Sequence, residues 1–108
     1  MGHEVQDQAS LEMARRVAAG LDDHPEWIDH ARENLRRWRR RNADVPSLLA
    51  CYAPWETILD RPVAEIVATL LRDDEHGRRL RQNSPFAGVL GPREVWEIKR
   101  RVREGADR

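Results

Sequence analysis

The residues of this chain that could do chemistry are four histidines, one cysteine, two carboxylate clusters and two arginine-dense stretches. His24 and His30 are six positions apart, which sets them about 240° apart around an α-helix. One helix face therefore cannot offer both to a metal. His3 stands near the start of the chain, His76 is isolated, and no H-E-x-x-H or Cys/His spacing exists. No metal site is expected. Asp22-Asp23 and Asp73-Asp74-Glu75 stand where helices should start, and there negative charge complements the positive end of the helix dipole. Capping accounts for them without a catalytic role. No G-x-S-x-G, Walker loop or dinucleotide fingerprint is present, and Gly88 and Gly91 are too sparse to cradle a phosphate. Catalysis has no residue to rest on, so the expectation is a non-enzymatic protein with no cofactor. Cys51 has no partner for an internal disulfide or a cysteine zinc site. In the apolar run Leu48 to Tyr52 it reads as a buried, inert thiol.

The arginines admit two readings. Arg36-Arg37-Trp38-Arg39-Arg40-Arg41 is a basic helix with an aromatic, which could grip phosphate. Alternatively Trp38 belongs to the core and the arginines form a solvated face, or one docked on acids such as those of the first helix. The segment Glu75 to Asn83 follows an apolar helix after a short turn, the rough outline of a helix-turn-helix. In that reading Arg78, Arg81 and Gln82 reach bases while Arg36, Arg39 and Arg40 hold phosphates. Against it, the turn lacks its usual glycine and Gly77 lies inside the supposed reading helix. Formal net charge is zero, so no whole-molecule attraction to nucleic acid or an anionic membrane follows. The charge is uneven: residues 1–29 hold seven acids against Arg15 and Arg16, while residues 32–41 hold six arginines and only Glu33. Lys99 is the single lysine, a bias that reads as codon usage in a GC-rich genome.

A chain of 108 residues is naturally one domain. The charged share of 35% favours thin helical packing in which each helix keeps a wide wet face. We expect an all-α fold, a compact orthogonal bundle of five or six short helices over residues 9–103, with a disordered N-terminus (1–8) and a loose tail (104–108). The first helix runs from Ala9 to Leu21 on an i, i+3, i+7 stripe. Asp23-His24-Pro25-Glu26 predicts the start of the second, with Asp23 and Glu26 as a capping box. Trp27, Ile28, Ala31, Leu35 and Trp38 form its apolar side. Pro54 predicts a kink or restart within the apolar run that begins at Pro46, since an internal proline costs ~3 kcal/mol or more. Pro62 opens a further helix to Leu71, Asp73-Asp74 caps a short basic one over Glu75 to Gln82, and the last begins at Pro92. Leu48 to Trp55, the longest apolar run, is too short to span a bilayer. Met1 to Gln8 is polar and does not read as a signal peptide, so a cytoplasmic protein is expected.

The stretch Asn83 to Ile98 breaks the charged helical pattern. It holds the only Phe, two prolines, two glycines and one of the four tryptophans. Its apolar loop, Phe86 to Leu90, must pack under the body of the protein or be offered to a partner. Trp27, Trp38 and Trp96 lie on or beside apolar stripes. Trp55, in the irregular region after Pro54, and Phe86 are the best candidates for a partner-facing anchor, although core is the better reading for each taken singly.

Arg79-Leu80-Arg81-Gln82-Asn83-Ser84-Pro85-Phe86-Ala87-Gly88-Val89-Leu90, followed by Pro92, Glu94, Trp96 and Ile98, is similar to a family of small, largely uncharacterised bacterial helical proteins. Its members carry L-R-Q-S-S-P-F-A-G-V-L and then a P-x-E-R-W-x-I helix start. His24-Pro25-Glu26 with Ala31, Asn34-Leu35 and Trp38 resembles the H-P-x-x-x-x-x-A-x-x-N-L-x-R-W part of the same proteins. Together the segments cover about half of the chain. The chain departs from the pattern at Asn83, which replaces a Ser, at Gly91, where a Ser or Thr cap would stand, and at Val95, which replaces an Arg. The resemblance implies a short accessory protein, the antitoxin-like half of a two-gene module.

The function expected is thus that of an interaction protein that masks a cognate toxin or enzyme encoded nearby. It would do so through the 84–90 loop and neighbouring helix faces, with Arg79, Arg81, Ser84, Phe86, Leu90 and Trp96 as contact residues. This requires Phe86 and Leu90 to be at least partly exposed. The alternative is a small DNA-binding regulator on the arginine residues named above. A homodimer fits either, and no membrane contact is expected.

Overall fold

Apolar residues recurring every three or four positions fold the described residues of this chain into six α-helices. The computed structural model describes residues 2–106, and the side chains of residues 5–105. In chain order the helices are α1 (Gly2–Gly20), α2 (Glu26–Arg41), α3 (Pro46–Leu59), α4 (Val63–Leu70), α5 (Glu75–Gln82) and α6 (Pro92–Ala106). No strand occurs among the described residues. α1 packs against α4, α5 and α6, α2 packs against α3, and α3 against α4 and α5. No helix is long and apolar enough to cross a membrane.

The core follows the stripes. α1 buries Leu11, Ala14 and Val17, and Leu21 just beyond it is also buried; α2 buries Ala31 and Leu35; α4 buries Ile66 and Leu70. α1 begins at Gly2, ahead of Ala9 where its buried stripe starts. The expected capping box before α2 does not form. Pro25 occupies the cap position with no side-chain hydrogen bond. Instead the chain turns through backbone bonds, His24 N–H to the Gly20 carbonyl and Trp27 N–H to the His24 carbonyl, and the His24 ring stacks on Trp27 at 4.6 Å.

Pro54 does not break α3, which runs through it. Its ring lies on the exposed side, so the lost N–H is its main cost, while Tyr52, Trp55, Ile58 and Leu59 stay buried on the inner side. Trp55 is therefore not an irregular, partner-facing residue. It is wholly buried, its indole N–H donates to the Leu80 carbonyl at 2.9 Å, and its ring meets Phe86 edge-on at 6.2 Å. Cys51 is exposed rather than buried, on the outward side of α3 with Ala50 and Ala53.

Asp74 caps α5 as the sequence predicts, accepting from the Gly77 N–H at 2.8 Å. Gly77 belongs to the junction of α4 and α5, because a Cβ there would lie 2.5 Å from the Arg72 carbonyl oxygen. Only glycine lets the first turn of α5 come so close to the end of α4.

Candidate functional site

Asn34 lies on the apolar side of α2, between Ala31 and Leu35, and is 2% exposed. A buried amide must find partners. Its Nδ2 donates to the carbonyls of Pro85 and Ala87, at 2.8 and 2.9 Å, and its Oδ1 accepts from Arg37 Nη2 at 2.5 Å. His30 Nε2 lies 3.0 Å from the Ala87 carbonyl. Two side chains of α2 thus clamp the loop between α5 and α6 by its backbone. The middle of α2 and the 84–88 segment meet here. Ser84 Oγ accepts from the Phe86 N–H at 3.3 Å, a local turn of the kind serine favours. Gly88 follows with φ +88°, a left-handed conformation that glycine adopts at no steric cost.

The clamp draws the loop inward, which corrects the expectation that it is offered to a partner. Phe86 is 4% and Leu90 8% exposed. Pro85 is fully buried and Val89 is half-buried. Phe86 fills the core against Trp55, so neither Phe86 nor Leu90 can serve as a contact residue on the surface.

What the loop does line is a cavity of about 550 Å³, within the range of small-molecule sites. Met13, Val17, Leu70, Phe86, Leu90 and Val95 give it apolar walls, with the rings of Trp38 and Tyr52. Arg41, Asn42, Arg81, Gln82, Asn83 and Ser84 supply its polar groups. Of the residues expected from sequence, Arg81, Gln82, Ser84, Phe86 and Leu90 therefore come together, but around a cavity. Arg79 and Trp96 do not join them. Arg79 is exposed and pairs with Glu75 at 3.1 Å. Trp96 is 60% exposed on α6, with the Arg100 guanidinium over its ring at 5.2 Å.

Arg81 was expected to reach outward, to a partner or to a base, and it does neither. It is 8% exposed. Its Nη1 donates to the Arg72 carbonyl, while its Nε is shut away with no acceptor among the described residues. Burial pulls the guanidinium below its ordinary pKa, opposed by Asp73, Asp7 and Asp74 at longer range. Among the described residues no carboxylate comes within salt-bridge distance of it.

The arginines of α2 are largely committed to the protein itself. Arg32 bonds Asp60 at 2.8 Å and the Leu59 carbonyl, Arg36 pairs with Glu33 at 2.7 Å and Arg39 with Glu56 at 2.8 Å. Among the described residues the acids that meet this face come from α2 itself, from α3 and from the residue after α3. Arg40, Arg41, Arg78 and Gln82 are exposed. Among the described residues no three His, Cys, Asp or Glu side chains gather as a metal ligand set.

Sequence reasoning missed Asn34 and His30 as loop anchors, and Met13, Tyr52 and Leu70 as cavity walls. Asn34 alone carried a signal, a polar residue on an apolar helix side. The chain matches no family model, no curated protein and no solved structure.

Proposed function

We propose that this chain is a non-enzymatic interaction protein, antitoxin-like in role, that binds and masks an acidic protein partner through the outer face of α6. The observation that carries this reading is Trp96, an indole left 60% exposed where its neighbours Val95 and Ile98 turn inward. Exposed aromatics are the residues most often buried at binding hot spots. Arg100 and Arg103, four and seven positions on, share its side of the helix. Lys99, Arg100, Arg101 and Arg103 are exposed, and none is in an ion pair among the described residues. The surface that fits this face carries an apolar pocket ringed by carboxylates. The DNA-binding alternative has less support, since Arg81 is buried and Arg36 and Arg39 are already paired.

Co-expression with the protein encoded beside this chain tests the reading. A complex should co-purify, and Trp96→Ala should weaken it by about 30-fold or more, the ~2 kcal/mol of a hot-spot residue. Helical circular dichroism should not change, because the indole is outside the core. A complex that tolerates both Trp96→Ala and Arg100→Ala would overturn the proposal. A duplex-DNA mobility shift that falls steeply with salt would replace it by the regulator reading.

A further inference from the structure

The cavity under the 84–90 loop touches α6 only on its inner side, at Val95, away from Trp96, and its chemistry is specific. Its walls are apolar and aromatic, and the buried charged side chain that lines it is Arg81. A guanidinium carries five N–H donors. Here Nη1 has the Arg72 carbonyl, Nε is sealed off with no acceptor, and Nη2 is left without a protein acceptor among the described residues. A buried cation without a close counter-ion is costly, and the distant Asp7, Asp73 and Asp74 offset that only in part while Arg78 opposes them. The carbonyls at the end of α5 do not repel an incoming anion strongly. The Leu80 oxygen accepts from Trp55 and Asn83, and the Arg81 oxygen accepts from Ser84.

We propose that this cavity binds an amphipathic carboxylate, its anionic head on Arg81 and its apolar body between Met13, Trp38, Leu70 and Phe86. A carboxylate is a strong acceptor for the Nη2 end of the guanidinium, the end that is not shut away. The volume of about 550 Å³ has room for an aryl or medium alkyl body. Asn83 and Gln82 stand beside the head, and Trp38 beside the body provides an optical signal.

The probes are 1-naphthoate, the neutral 1-naphthalenemethanol of similar shape, and inorganic phosphate, titrated into the full chain. The readouts are Trp fluorescence and amide shifts at Asn83 and Gly88. Saturable binding of naphthoate is expected, at least tenfold tighter than the alcohol, with phosphate alone much weaker. Arg81→Gln should bring the acid down to the level of the alcohol while leaving the alcohol unchanged. If Arg81→Gln does not fold, Ser10→Phe narrows the cavity from a half-buried position of α1 with Arg81 intact, and it should abolish binding of both aromatic probes. Equal affinity for acid and alcohol, naphthoate binding that survives either folded variant, or saturation by neither aromatic probe would each overturn the proposal. Phosphate as tight as naphthoate would overturn the apolar half of it. Binding of the α6 partner is read at Trp96, on the other side of that helix from Val95, so failure of one proposal is distinguishable from failure of the other.

Discussion

At the scale of single residues, Asn34 illustrates how one buried polar group organises a site. Its amide satisfies two loop carbonyls and is in turn oriented by Arg37. Asn34→Leu would keep the volume and remove both donors, leaving the Pro85 carbonyl without this partner while Ala87 keeps His30. A loss of ~1–3 kcal/mol is expected for such an orphaned buried group, measured by urea unfolding, together with line broadening at Gly88. Unchanged stability would mean that the loop holds itself. Asp74 makes a different prediction. The Arg72 guanidinium and the Gly77 N–H hold its carboxyl at about 2, below the ordinary 3.8. A depressed carboxylate stabilises the fold fully above its unfolded value, and that contribution is lost as pH falls from about 3.8 through about 2. Carbon-detected NMR titration of the Asp74 carboxyl should give a midpoint near 2, with the α5 amides shifting alongside it. A midpoint at the ordinary value would show that the cap and the Arg72 contact are not formed in solution.

At the scale of elements, α3 shows where packing outweighs propensity. Pro54 sits in the interior of a 14-residue helix and removes one intrahelical hydrogen bond, yet the helix continues because Tyr52 before it and Trp55, Ile58 and Leu59 after it are buried. Since the ring is exposed, Pro54→Ala should restore that bond without disturbing the core. Proline is ~3 kcal/mol worse than alanine in a helix interior, and it recovers up to ~1 kcal/mol by stiffening the unfolded chain. Thermal or urea unfolding should therefore show a net gain of about 1–3 kcal/mol, and a loss would mean that the ring packs on something. The same helix marks the limit of what was legible in the sequence. Periodicity and capping residues located α1, α2, α4, α5 and α6, and the bounds of α5 and its Asp74 cap are as read from the sequence. Periodicity misread Pro54 as a break, and with it Trp55 as irregular, because one-dimensional spacing does not say which side of a helix a proline ring occupies. For the same reason the apolar loop could be recognised as unusual without its direction being known. That direction is set by contacts from Asn34 and His30, more than fifty positions away, and Arg81 was placed outward because nothing in a basic run distinguishes the one arginine that turns in.

At the scale of the whole molecule, the helices are not equally tied together. α3, α4 and α5 pack on one another, and α1 packs on α4 and α5, around the fully buried Trp55, Leu59, Ile66 and Leu70. Among the described residues, α1 is the one helix that α6 packs on. α6 contributes the buried Ile98 and the half-buried Val95 and Val102, plus the half-buried pair of Glu94 with Arg16 at 2.8 Å, and a pair still open to solvent is worth ~0–1 kcal/mol. A helix held by one buried and two half-buried apolar side chains should open before the rest, as a local unit distinct from global unfolding. The α6 amides from Val95 to Val102 should then exchange with solvent deuterium faster than those of Trp55 to Leu59 and Ile66 to Leu70 under native conditions. Adding 1 M salt should barely change that order, because little of the attachment of α6 is electrostatic. Capture of Trp96 by an acidic partner should slow α6 selectively, since a ligand that binds only the docked helix stabilises it by mass action. Exchange of α6 at the rate of α3 in the free protein would instead mean that α6 is part of the cooperative core, and that its exposed tryptophan is presented on a rigid surface from the outset.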